Sequence, residues 1–284
     1  MGVTQTQAAV AEYPVVWIEA HRGWLALDLG ELWAYRELLY FFVWRDIKVR
    51  YKQTVICAAW AILQPVLTML VFRLFFGKLA RIPSQGLPYP IFYYCALLPW
   101  MYFSTAIQGA TNIVVDQQRV ITKIYFPRVV LPIASVLSGL LDFAISFGVF
   151  LVIMIYYRIL PTAAVIWLPV FLLLAVLTAL GVGLWLSALN ALYRDIRYVV
   201  PFLVQFWMFA SSVAYPSSLV PAKRRWLYGL NPMAGVIEGF RWALTGHGQP
   251  PGILLAASSA AVVLVVFSGL VYYRAVEGTM ADVV

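Results

Sequence analysis

The sequence predicts an all-α polytopic membrane protein with six transmembrane helices, and three observations predict it. The first is composition. Of 284 residues, 63% are hydrophobic and 11% charged, against about 45–50% and about 25% in soluble domains. The second is the length of the apolar runs. Residues 82–115 carry no charge, and residues 129–157 carry only Asp142; about 18 apolar residues suffice to cross a bilayer as a helix. The third is where the cations fall. They sit at the ends of the apolar runs, as membrane topology requires. The formal charge of +8 is therefore a topology signal, and it gives no support to nucleic-acid binding.

Taken in order, residues 1–52 form a cytoplasmic tail that ends in an amphipathic helix. Leu32, Tyr35, Leu39, Phe42 and Val43 share one helical face, interrupted by Arg36 and Asp46. An aromatic, charged helix of this kind suits the membrane interface. Arg45, Lys48, Arg50 and Lys52 form a cationic collar before the first span. Residues 53–284 form the membrane domain, with spans predicted at about 55–76, 91–113, 129–157, 163–186, 199–214 and 252–273. The first span carries Gln64-Pro65 at its centre, where proline frees a backbone carbonyl. Cys57 and Cys95 fall near opposite ends of neighbouring spans, most of a ~30 Å hydrocarbon thickness apart. That is too far for a disulfide.

Between spans two and three lies a short charged island with Asp116, Arg119, Lys123 and Arg128. A short helix is predicted there from Gln117 to Tyr125, stopped at Phe126 because a residue before proline avoids helical geometry. Its local pattern fits a solvated turn and a contact surface for a cytoplasmic partner equally well. Residues 216–251 hold apolar runs too short to span. They are predicted to form two short helices in a hairpin, re-entrant or lying on the outer surface.

Six spans place both termini on one side. The tail, the inner loops and the C-terminus then collect twelve of the twenty Lys and Arg residues. That asymmetry predicts cytoplasmic termini.

Candidate chemistry is sparse. The two histidines, His21 and His247, are far apart, and no Cys/His cluster offers metal-ligand spacing. The chain has no phosphate-binding G-x-x-x-x-G-K-[ST] loop, and its twelve acids form no D-x-D. An enzyme is therefore not expected. Asp142, at mid-membrane, is a candidate proton or ion site; the favoured expectation is a hydrogen bond to Ser138 or Ser146, one turn away. Aromatic residues abound. Phe202, Phe206 and Phe209 recur at helical spacing, flanked by Gln205 and Ser212, and Trp60, Gln64, Thr68 and Phe75 form a similar face in span one. Lipid accepts the rings but not the amides. Such faces suit helix–helix contact or a passage for an amphipathic solute.

Four stretches then carry a resemblance: RDIKVRYKQTVICAAWAILQP (45–65), K-x2-FPR-x3-P (123–132), N-x2-YRDIRY-x2-P (190–201) and LNPM-x4-E-x2-R (230–241). In this order they resemble the membrane subunits of bacterial type-2 ATP-binding-cassette exporters of polysaccharides, over about residues 31–273. Many relatives have glycine where Cys57 stands. The resemblance implies a homodimer in the bacterial cytoplasmic membrane, with two separate nucleotide-binding subunits that hold ATP and Mg. It implies no cofactor or metal in this chain, and a lipid-linked polysaccharide such as O-antigen as cargo. It implies that Gln117, Arg119, Lys123 and Tyr125 couple to the ATPase. It implies a glycan path of aromatic faces, here Trp60, Gln64, Phe75, Trp100, Phe202, Gln205, Phe206, Phe209 and Ser212. An outer gate would come from the hairpin, with Lys223, Arg224, Arg225, Asn231, Pro232, Glu238 and Arg241. Capsule, teichoic-acid, lipid or drug export is the neighbouring expectation. A proton-coupled carrier using Asp142 is the more distant one.

Overall fold

The computed structural model describes residues 29–52, 55–123, 126–221, 224–247, 250 and 252–283. Among the described residues all regular secondary structure is helical, with no strand. Eleven α-helices are described: α1 (Leu29–Ala34), α2 (Arg36–Lys52), α3 (Val55–Phe72), α4 (Tyr89–Asp116), α5 (Gln118–Ile121), α6 (Val130–Tyr156), α7 (Leu168–Leu192), α8 (Ile196–Ala210), α9 (Arg225–Tyr228), α10 (Pro232–Thr245) and α11 (Gly252–Val283). Four stretches are long and apolar enough to cross a membrane: Ala59–Leu79, Val130–Tyr156, Ala163–Leu192 and Gly252–Thr279. The other two expected spans differ in kind. Helix α4 has 28 residues but is rich in polar and aromatic side chains. Helix α8 has 15 residues, about 22 Å at ~1.5 Å per residue, which is shorter than the hydrocarbon core.

Helix α4 is the hub. It packs against α3, α6, α7, α8 and α10, and residues 90–100 are all buried. The polar residues of α4 follow this buried stretch, from Ser104 to Asp116. The most extensive helix pair is α7 with α11. Its close approach depends on Gly181, where an added Cβ would lie 2.8 Å from the Val266 backbone nitrogen. Trp185 stacks on Tyr272 at 4.2 Å beside this contact.

Helix α3 passes into a π-helical segment, Arg73–Leu79. In the predicted hairpin, α10 is a core helix: Asn231 caps it by accepting from the Met233 N–H at 3.1 Å, and Gly246 closes it at φ +66°. Side-chain caps of this type satisfy orphan backbone groups, and glycine meets the left-handed geometry without strain.

The N-terminal helix α2 packs against α6. Phe42 packs in one cluster with Phe126, Val130, Leu131 and Ala134, and eight residues later Arg50 reaches Asp142. Helix α2 therefore runs along the first half of α6. Its packed face uses the predicted Leu39, Phe42 and Val43, with Leu38 added and Tyr35 just before the helix.

Candidate functional site

The aromatic faces predicted from spacing divide into two groups. Phe202 and Phe206 are 70% and 68% exposed on α8, with Gln205 and Phe209 also exposed. Trp60, 54% exposed, shares the free surface of α3 with Gln64, and Phe75 is exposed in the π-helical segment. Helix α3 packs on α4 and α6, and α8 packs on α4 and α7, so the two helices flank α4. Two residues depart from this group. Trp100 is only 3% exposed and packs on Phe103, because it faces the helices around α4. Ser212 is fully buried, and its hydroxyl hydrogen-bonds the Ala234 carbonyl. Helix α8 ends at Ala210, so the spacing that linked Ser212 to the phenylalanines does not continue that far.

The charged island is shorter as a helix than predicted. Gln117 interrupts the helix after α4, and α5 covers only four residues. Gln117 is held by the Arg45 guanidinium of α2 at 3.0 Å. Arg119 and Lys123 are exposed at the tip, and Tyr125 lies outside the described residues. Beyond the island, the Arg128 backbone N–H donates to Glu277 Oε1 at 3.0 Å, and its guanidinium donates to the Glu277 carbonyl. The last turns of α11 thus grip the segment leading into α6.

The hairpin residues also divide. Arg224 is exposed, Arg225 is half-buried, and Lys223 lies outside the described residues. Glu238 and Arg241 are interior. Arg241 is 1% exposed; it donates to Glu238 Oε1 at 2.8 Å and to the Ser212 carbonyl at 2.9 Å, and its guanidinium lies 4.0 Å above the Phe92 ring. Glu238 also accepts the Ser217 N–H at 2.8 Å. The pair fastens α10 to the segment that follows α8. It does not present free charge to a solute, because residues distant in sequence close over it. Asn231 joins the same junction: it accepts from Trp207 Nε1 at 3.0 Å and donates to Ser211 Oγ at 2.9 Å. Pro232, at the first position of α10, is buried.

Asp142 does not bond to Ser138 or Ser146. Its carboxylate pairs with the Arg50 guanidinium and accepts from the Tyr51 hydroxyl. The cation comes from α2, a segment whose course beside α6 is a tertiary fact. Around this pair lies a cavity of about 850 Å3, bounded by α2, α3, α4 and α6. Sequence reasoning missed its α4 wall. The signal was present: Thr105, Gln108, Asn112 and Asp116 recur at intervals of three and four.

Residues 37–245 match the family described as ABC-2 type transporter. The chain belongs to the ABC-2 type transporter family. It is similar to an O-antigen export system permease protein RfbA of Myxococcus xanthus, 34% identical over 238 residues, covering 82% of this chain and 90% of the relative. A protein of the same name from Klebsiella pneumoniae is 26% identical over 215 residues, covering 75% and 81%. The polysialic acid transport protein KpsM of Escherichia coli is 24% identical over 245 residues, covering 83% and 92%. This ABC-2 chain is thus a multi-pass membrane protein of the permease type. The family match includes α2 and ends with α10, so the whole arrangement around α4 falls within it.

Proposed function

We propose that this ABC-2 chain is the transmembrane subunit of an exporter of lipid-linked, O-antigen-like polysaccharide. ATP hydrolysis on two separate nucleotide-binding subunits drives it, and two copies of the chain form the passage. The chain spans the bacterial cytoplasmic membrane six times, with both termini inside. The observation that carries this reading is the pair of free faces on α3 and α8, each combining aromatic rings with an amide. Lipid would leave Gln64 and Gln205 unsatisfied, whereas a passage between two copies of the chain gives both amides polar company. The permease relatives, named for O-antigen and polysialic acid, supply the cargo class. The exposed Arg119 and Lys123 are the docking points for the ATPase, and the hairpin residues Arg224 and Arg225 border the outer mouth.

In the carrier reading Asp142 would have to release Arg50 in order to take up a proton. Deletion of the gene in its native host tests the proposal. The surface glycan should be lost, the lipid-linked glycan should accumulate inside, and an ATPase should copurify with the tagged wild-type chain. Unchanged surface glycan in the deletion strain refutes the proposal.

A further inference from the structure

Helix α6 carries four polar side chains before its terminal tyrosine: Ser135, Ser138, Asp142 and Ser146. All four line the cavity between α2, α3, α4 and α6. Helix α4 turns Thr105, Gln108 and Asn112 toward the same space, and α3 adds Gln64. Three helices from separate parts of the chain thus aim polar faces at one chamber within a membrane domain. Thr105, Asn112, Ser138 and Ser146 already donate to backbone carbonyls of the bundle, so what they offer the chamber is acceptor oxygens, which suit water or a hydroxyl-bearing ligand better than lipid. Its volume of about 850 Å3 falls within the ~300–1,000 Å3 typical of ligand sites.

The charges narrow the ligand class. The chamber is lined by two cations, Arg45 and Arg50, and three carboxylates, Asp46, Asp116 and Asp142. Arg45 pairs with Asp46 at 2.8 Å, and Arg50 pairs with Asp142. No unpaired cation among the described lining residues awaits a phosphate or an acidic sugar, and the formal balance disfavours either. The remaining groups suit hydroxyls. Gln108 Nε2 is committed to Ser104, which leaves its carbonyl oxygen facing the chamber as an acceptor. Gln64 is exposed and offers both halves of its amide. Trp60, 54% exposed, adds a ring surface against which the apolar face of a pyranose can lie.

We infer that this chamber binds an uncharged, hydroxyl-rich saccharide segment. It follows α4 from Asp116, beside the charged island, to Leu98, about 27 Å at ~1.5 Å per residue. There it meets Trp60 and Gln64 of the free α3 face. The chamber is the intake of the glycan path, and the sugar portion enters it while the charged lipid-linked end stays outside. This inference rests on the export reading and adds the location and charge class of the first sugar contact.

The test uses the complete transporter with its ATPase partner in lipid nanodiscs. The probe is a fluorescently labelled oligosaccharide cut from the neutral repeats of the host's own surface glycan, followed by anisotropy. Wild type should bind it, and inorganic pyrophosphate should not compete. The Q108L/N112L double variant should weaken binding by about tenfold or more, equivalent to about one lost hydrogen bond. Ser138→Phe, which fills the chamber without removing the amides, should weaken it as well. Ala144→Leu, on the exposed side of α6, should leave it unchanged. No binding by wild type, binding unaffected in both chamber variants, or displacement by pyrophosphate overturns the inference. If gene deletion abolishes export while the chamber variants bind normally, only the intake site falls. If deletion leaves export intact, the export reading itself falls.

Discussion

Neutralising Glu238 while leaving Arg241 in place should be among the most destabilising single changes in this chain. Arg241 is 1% exposed, and among the described residues Glu238 is its only carboxylate partner, at 2.8 Å. Glu238→Gln keeps an oxygen that can accept from Arg241 but removes the negative charge, leaving an uncompensated guanidinium in the core beside the Ser212 carbonyl at 2.9 Å and the Phe92 ring. Removing one partner of a buried pair costs about 3–5 kcal/mol, because the other charge is left uncompensated. At ~2–4 °C per kcal/mol for a large domain, the unfolding midpoint should fall by roughly 6–20 °C. Arg241→Met strands the carboxylate, which retains the Ser217 N–H, and should cost a similar amount. The E238Q/R241M double variant strands no charge. It loses the bond to the Ser212 carbonyl and the ring contact, about 1–3 and ~2 kcal/mol. The double should therefore cost about 3–5 kcal/mol against about 6–10 for the sum of the singles, a coupling of roughly 3–5 kcal/mol. Thermal unfolding of the detergent-solubilised wild type and three variants measures this cycle. Additive losses, or a Glu238→Gln midpoint within about 2 °C of wild type, would refute the buried-pair account and return both residues to an exposed role at the outer mouth.

Three further outcomes are expected. Reversing Arg119 and Lys123 together to Glu should separate ATP hydrolysis from export or release the ATPase; exposed pairs are worth only ~1 kcal/mol or less, so the double is needed, and full export with normal copurification refutes docking there. Replacing Phe202, Phe206 and Phe209 by Ala should cut glycan export by up to about a hundredfold, as three ring contacts at ~1 kcal/mol each sum to ~3 kcal/mol, while the Leu triple variant should remain low because it restores bulk without stacking; normal export by the Leu variant makes the rings packing residues. Glu277→Ala should free the Arg128 segment and raise hydrogen exchange across residues 126–129 with about 1–3 kcal/mol of lost local protection; unchanged exchange refutes the grip of α11 on that segment.

The helices were legible in the sequence because their signal is local. Apolar runs, prolines and charge breaks fix where helices begin and end, and the expected spans at 129–157 and 252–273 fall on α6 and α11. The mixed faces of α3 and α8 were legible for the same reason, since helical spacing alone groups Phe202, Gln205, Phe206 and Phe209. Spacing fails where the helix stops, as it does for Ser212 beyond Ala210. It also cannot say which side of a helix meets a neighbour, so Trp100 and Phe202 look alike in sequence but differ in burial. The charged groups depended most on tertiary structure. Arg50 and Asp142 are 92 residues apart, and Arg241 and Ser212 are 29 apart. The sequence could state that a charge at membrane depth needs a partner, because an unpaired one is costly. Which partner, and whether the pair lines a chamber or is sealed in a core, was decided only by how α2 lies on α6 and how α10 lies beneath the end of α8.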